Sequence, residues 1–264
     1  MRMRVKSSLV ASIGVGCILG LGGTLGLVGA ATAAPVSTAS FNFSMSLSGL
    51  TSSPVTVTGT GHADNARDEV SLTVDLPAAL AALIPGGTAS PEVVNAVLAQ
   101  GTVYLDVPSL QSSIGAPWIS VTLPTKSASG VSGMLSKVAS ALGNVNSIVG
   151  FAQSHHATVT PLPTSTIDGV AATGNQIVAT HKRATITAVL WADSSDQLVQ
   201  ANVAASVAAN KKTIGVTATI NLSGYGDPVT VAVPPLSQVK AIPFSTVASF
   251  LGTAFHHGHH ASTH

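Results

Sequence analysis

Few residues in this 264-residue chain are spaced for covalent chemistry. The nearest approach is Gly130-Val131-Ser132-Gly133-Met134. A Gly-x-Ser-x-Gly elbow would hold its serine on a sharp strand-to-helix turn. Met134 stands where the last glycine is needed, so the motif is incomplete. No His-Glu-x-x-His, P-loop or strand-borne Gly-x-Gly-x-x-Gly occurs. Catalysis and a cofactor are therefore not expected. The denser cluster is His256, His257, His259 and His260, with His264 beyond. Neutral imidazoles take Zn²⁺, Ni²⁺ or Cu²⁺, and these four are the candidate metal ligands. A terminal segment with no outer contacts to orient its rings holds such ions weakly, and a plain polar chain end reads equally well.

The other reactive side chain is Cys17, the only cysteine. It lies inside an apolar, Gly-rich run from Leu9 to Ala30 that follows Arg2, Arg4 and Lys6. Ala31-Thr32-Ala33 then supplies small residues at positions −3 and −1 of a cleavage site. The pattern predicts a signal peptide over 1–33 and a secreted or cell-envelope protein starting at Ala34. A retained anchor is the alternative, since a bilayer span takes about 20 residues. Lipidation at Cys17 is not expected, because Gly14 replaces the usual branched aliphatic and the apolar run continues well past it. A chain cut after Ala33 has no cysteine and folds without disulfides.

Charge narrows the partners further. Eleven Lys and Arg oppose ten Asp and Glu, and only 8% of residues are charged. Loss of the three basic leader residues leaves a slight acidic excess. That balance argues against nucleic acid and against stable binding to an anionic membrane.

The elements that position these groups read as mostly β. Alternating runs occur at Phe41–Ser48, Pro54–His62, Glu69–Asp75, Gly101–Val107, Trp118–Leu123, Gly169–Ala179, Thr185–Ala192, Leu198–Val207, Ile214–Leu222 and Val229–Val233. The stretch Asn221–Pro235 reads as a rim hairpin, with Gly224 and Gly226 turning the chain and Val229, Val231 and Val233 facing inward. Three segments read as helical: Leu76–Ile84, Pro91–Leu98 and a long one from Val131 to Ala152. Pro91–Leu98 carries Ser90 as N-cap and Glu92 in its first turn. The long segment spaces Val131, Leu135, Val138, Leu142, Val145, Val149 and Ala152 by four and three. It ends near His155-His156, where imidazole suits exposed carbonyls. A last candidate helix is Ser245–Phe255.

This order of elements resembles the mycobacterial LppX/LprG/LprF lipoprotein family, which shares a half-open β-barrel with the periplasmic carrier LolA. The matching stretches are Gly101–Val107, Pro117–Val121, Ile167–Val170, Val189–Asp193 with Asp196–Val199, and Leu222–Val229. The resemblance implies an α+β fold: a large curved antiparallel sheet, an unclosed β-barrel, with helices packed on the concave side. It also implies a lipid-binding domain over 34–243, followed by a C-terminal helix and His-rich tail over 244–264. The implied partner is an acylated envelope lipid or glycolipid, with membrane-surface contact during lipid exchange.

The candidate lining of the lipid cavity is Leu80, Leu83, Val94, Leu98, Leu135, Leu142, Ile148 and Val149; each could equally be ordinary core. Aromatic residues make up only 4% of the chain, leaving few rings to fill a wide barrel. A lipid carrier is the leading expectation. A protein-interaction module with a closed core and a His-tail metal binder are the alternatives.

Overall fold

The computed structural model describes residues 38–49, 53–82, 89–122, 145–154, 156–181, 184–209 and 212–243. Six strands come first: β1 (Thr38–Ser48), β2 (Val55–Asp64), β3 (Glu69–Leu76), β4 (Glu92–Ala99), β5 (Thr102–Asp106) and β6 (Trp118–Thr122). Six more follow: β7 (Thr158–Ile167), β8 (Val170–His181), β9 (Ala184–Ala192), β10 (Leu198–Ala209), β11 (Lys212–Ser223) and β12 (Val239–Ala241). All belong to one sheet ordered β12-β6-β5-β4-β3-β2-β1-β11-β10-β9-β8-β7. Two meanders, β1 to β6 and β7 to β11, are joined where β1 pairs with β11 from Ser40↔Ser223 to Ser48↔Gly215. Among the described strands, β12 alone runs parallel to its neighbour, β6. β12 and β7 stand at the two edges, so the sheet is open.

Local chemistry sets the hairpins. Gln100-Gly101 and Asp168-Gly169 both have positive φ, at 50° and 76° and at 49° and 84°. That is the geometry of a type I′ turn, whose twist matches the strands it joins. At the β2–β3 turn the buried Asp64 carboxylate accepts the amides of Ala66 and Arg67 at 3.0 and 3.3 Å. The Arg67 guanidinium lies 3.6 Å away. Asp193 does the same for Ser195 and Gln197 between β9 and β10, at 2.8 and 2.9 Å.

Among the described residues three α-helices accompany the sheet: α1 (Ala78–Ala81), α2 (Pro108–Ile114) and α3 (Val145–Ser154). α3 ends with His156 in the left-handed region at φ 61°. The Ala157 amide returns to the Ala152 carbonyl at 3.0 Å and the His156 amide to Gln153 at 3.1 Å. This is a Schellman closure with histidine where glycine is usual. The part of the long apolar stripe from Val131 to Leu142 lies outside the described residues. So do the leader, Leu83 and Ile84, and the stretch from 244 onward.

Two expectations are overturned. Pro91–Leu98 is not a helix: Glu92–Ala99 is β4, paired with β3 from Leu76↔Glu92 to Glu69↔Ala99. Val93, Val94 and Val97 suit a strand better than a helix. The acidic signal had a different target, because Glu92 Oε1 accepts both the amide and the hydroxyl of Ser109 at 3.1 Å. It caps the first turn of α2, which has no side-chain cap of its own. The second correction concerns Val229–Val233, which joins no ladder. Pro228, Pro234 and Pro235 bracket it and remove amide donors. Gly224 and Gly226 do turn the chain, with φ 61° and 80°. They launch a strap rather than a hairpin, and it leads to β12 on the far edge. Val231 is the anchored valine, 8% exposed against Val97 and Ala99, whereas Val233 is 42% exposed.

β7 was not foreseen, since Pro161 and Pro163 obscure its alternation. An edge strand tolerates them because one side of its backbone needs no partner.

Candidate ligand surface

Strand register gives the sheet two unlike faces. Aligned neighbours point the same way, and residues alternate along each strand. Phe41, Phe43, Met45 and Leu47 of β1 therefore share a face with Val57 of β2, Val74 of β3 and Val216 of β11. The opposite face carries Ser44, Thr58, Thr60, Thr217 and Thr219. We call these the apolar and the hydroxyl face.

The apolar face is covered unevenly. Over β8 to β11 it is closed by α3: Val145, Ile148 and Ala152 are buried with Ile177, Leu190, Ala201 and Leu222. In the middle, Met45, Leu47, Val57, Val74 and Val216 form a second cluster, capped by Leu80 of α1. Over β4 and β5 the face is only half-buried. Val94 and Leu98 of β4, and Val103 and Leu105 of β5, join none of the described buried clusters.

The structure places five of the eight sequence-predicted lining residues, all on this side of the sheet. Leu80 packs on the middle cluster. Val94 and Leu98 lie in the half-open part, aligned with Val74 and Val70 of β3. Ile148 is 2% exposed in the closed part, and Val149 packs beside it. Leu83, Leu135 and Leu142 fall outside the described residues, as do His256, His257, His259 and His260. Among the described residues, no three His, Cys, Asp or Glu side chains are grouped to hold a metal ion.

Close packing on the apolar face uses aromatic–glycine pairs. Phe43 lies over Gly59 and Phe41 over Gly61, their cross-strand partners. A methyl group at Gly59 would stand 2.5 Å from Phe43 Cε1 and still closer to the Thr73 carbonyl. Tyr225 closes one end of the α3 region, packed on the cluster, with its hydroxyl donating to the Leu198 carbonyl. Burial, with the Asp193 carboxylate second, pushes its phenol well above the ordinary value. This tyrosine is a neutral structural donor, not a proton carrier.

The hydroxyl face holds two open hollows, about 420 and 320 Å³. Ser46, Ser48, Thr185, Thr187 and Thr217 line the first; Asn42, Ser44, Thr58, Thr60 and Asn221 line the second. A single register row crosses the strands through Gly174, Trp191, Gln200, Asn221 and Asn42, the last two lining the second hollow. Gln200 Nε2 donates to Asn221 Oδ1 at 2.8 Å, and Asn221 Nδ2 donates to Asn42 Oδ1 at 2.9 Å. Sequence reading overlooked this row. A signal existed, because Asn is disfavoured within strands and here stands mid-strand at Asn42, Asn95 and Asn221.

No family model and no curated protein matches the chain. Among solved structures it is similar to a LolA superfamily protein from Nitrosomonas europaea. That alignment has 9% identity and a TM-score of 0.31, over 78% of this chain and 92% of that one. It is also similar to MucB, solved in complex with MucA, at 9% identity and a TM-score of 0.12, over 70% of this chain and 89% of that chain. Scores this low leave the architecture resting on the strand ladder described above.

Proposed function

We propose that this is an exported cell-envelope protein that holds the acyl chains of a lipid or glycolipid against the apolar face of its sheet. The reading agrees with the resemblance to the LppX/LprG/LprF family. One observation carries it: the same apolar face that α3 seals over β8 to β11 is left half-buried over β4 and β5, at Val94, Leu98, Val103 and Leu105. Apolar side chains kept partly uncovered cost stability unless something else covers them. Each CH₂ moved from water to such a surface is worth about 0.8 kcal/mol. A sixteen-carbon chain thus gains on the order of 10 kcal/mol before ordering costs.

The test is native mass spectrometry of the protein released by its own host, with extraction of whatever is bound. A stoichiometric acylated species is the expected result. A clean apo mass, with no uptake of added phospholipid or glycolipid, would replace this reading with a closed-core interaction module.

A further inference from the structure

The hydroxyl face carries a second surface, on the side of the sheet away from the acyl chains. Its row continues from Asn42 through Thr60 and Thr73 to Asn95 and Asp106, so it crosses nine consecutive strands, β8 to β5. Rungs repeat at the strand spacing of about 4.8 Å. That spacing is close to the repeat of an extended chain of pyranose rings.

Each carboxamide in the row is oriented by its neighbours and keeps capacity outward. Asn221 spends one N–H on Asn42 and one lone pair on Gln200. Gln200 accepts from Asn202 at 2.7 Å, and Asn202 accepts from Thr219 at 2.8 Å. Asn95 accepts from Thr73 at 3.0 Å and donates to Asp106 at 3.3 Å. A carboxamide has two donors and two lone pairs, so Asn221, Gln200 and Asn95 each retain one of both. A donor beside an acceptor suits the two hydroxyls of a vicinal diol.

The row ends on a ring. A Cβ built at Gly174 would meet three consecutive atoms of the Trp191 six-membered ring at 2.6, 2.7 and 2.9 Å. Near-equal distances mean that the indole lies flat over the glycine, with its other face turned outward from the sheet. The electron-rich face of an indole attracts the C–H face of a sugar ring. Charge is sparse along the row: its one ionisable side chain, Asp106, has its oxygens engaged by Asn95 and by Gln111 at 2.8 Å. Low in charge, with Asp75 the one carboxylate lining the second hollow, rich in amides and hydroxyls and aromatic at one end, this surface matches neither a polyanion nor an acyl chain.

We propose that the row Trp191–Gln200–Asn221–Asn42–Thr60 is a docking track for an extended, neutral, β-linked hexose polysaccharide. The inference does not rest on lipid binding, because the track and the half-open apolar patch lie on opposite faces. The test is calorimetric titration of the full-length protein with cellohexaose and with β-1,4-mannohexaose, neither of which carries an acyl chain. At least one should bind saturably, with a dissociation constant of about 1 mM or tighter. Thr60→Arg puts a long cation across the track from an exposed position and should weaken binding at least tenfold at unchanged melting temperature. Trp191→Ala should do the same. If its loss from Gly174 unfolds the protein, Thr60→Arg alone decides. Failure of both hexasaccharides to bind, or equal binding by Thr60→Arg, overturns the proposal.

Discussion

Tyr225 shows how a single side chain reports its surroundings. Its hydroxyl satisfies the Leu198 carbonyl while its ring packs on the α3 cluster. Tyr225→Phe keeps the ring and removes this hydrogen bond to the Leu198 carbonyl, so a loss of about 1 kcal/mol is expected in urea unfolding. The same residue predicts a pH effect. Below the unfolded phenol value of 10.0 both states hold the proton and stability is independent of it. Above pH 10 the unfolded chain releases the proton and the folded one keeps it, so stability falls by up to about 1.4 kcal/mol per pH unit. Tyr225→Phe should flatten that part of the profile; an identical slope in the variant would show that Tyr225 is not its source. Two glycines give a contrast at the same scale. Gly226→Val meets no atom within 4 Å but must hold φ near 80°, costing about 1–2 kcal/mol. Gly59→Ala meets Phe43 and the Thr73 carbonyl instead, so about 1–3 kcal/mol is expected from displaced packing. Equal melting temperatures for wild type and Gly226→Val would contradict the turn geometry.

Between elements, the instructive residue is Glu92. Its position after Ser90 and Pro91 reads locally as the first turn of a helix, yet its carboxylate caps α2, seventeen residues later in sequence. Glu92→Ala should cost about 0.5–2 kcal/mol, and Glu92→Gln less, because the amide oxygen still accepts from Ser109. If Ala and Gln are equally harmful, charge rather than hydrogen bonding holds that end. This long-range cap also explains what sequence could disclose. Strands with clean alternation, such as Val55–Asp64 and Ala184–Ala192, were legible because one face is apolar and the other is hydroxyl. Gly224 and Gly226 were legible as a turn because few residues accept positive φ. β4 was misread because Ala, Val and Leu in succession fit either period, and only pairing with β3 decides. The strap at Val229–Val233 kept the alternation of a strand without a neighbour to pair with, which sequence spacing does not encode. In the candidate ligand surface, Leu80, Val94, Leu98, Ile148 and Val149 share the apolar side of the sheet, but their sequence does not tell the part that α3 closes from the part left half-buried. The track was not legible, since its five members come from five strands and meet only through register.

At the scale of the whole molecule, the proposed function puts one apolar face to two uses, and this difference is measurable. Under α3 the face is a finished core, so Ile148→Ala should destabilise by about 2–4 kcal/mol through the cavity it leaves. Over β4 the face is half-open, so Leu98 has room to exchange its methyl groups for a longer chain whose charged end reaches water. Leu98→Lys is therefore expected to cost less than Ile148→Ala in the same urea titration. It should nevertheless abolish acyl-chain uptake, because an ammonium group would lie where hydrocarbon must dock. The two measurements separate a binding face from a core. Loss of uptake with stability retained places the lipid over β4 and β5. Destabilisation as large as that of Ile148→Ala would instead show the β4 side to be as closed as the α3 side, and the sheet would then have no apolar surface left to offer a ligand.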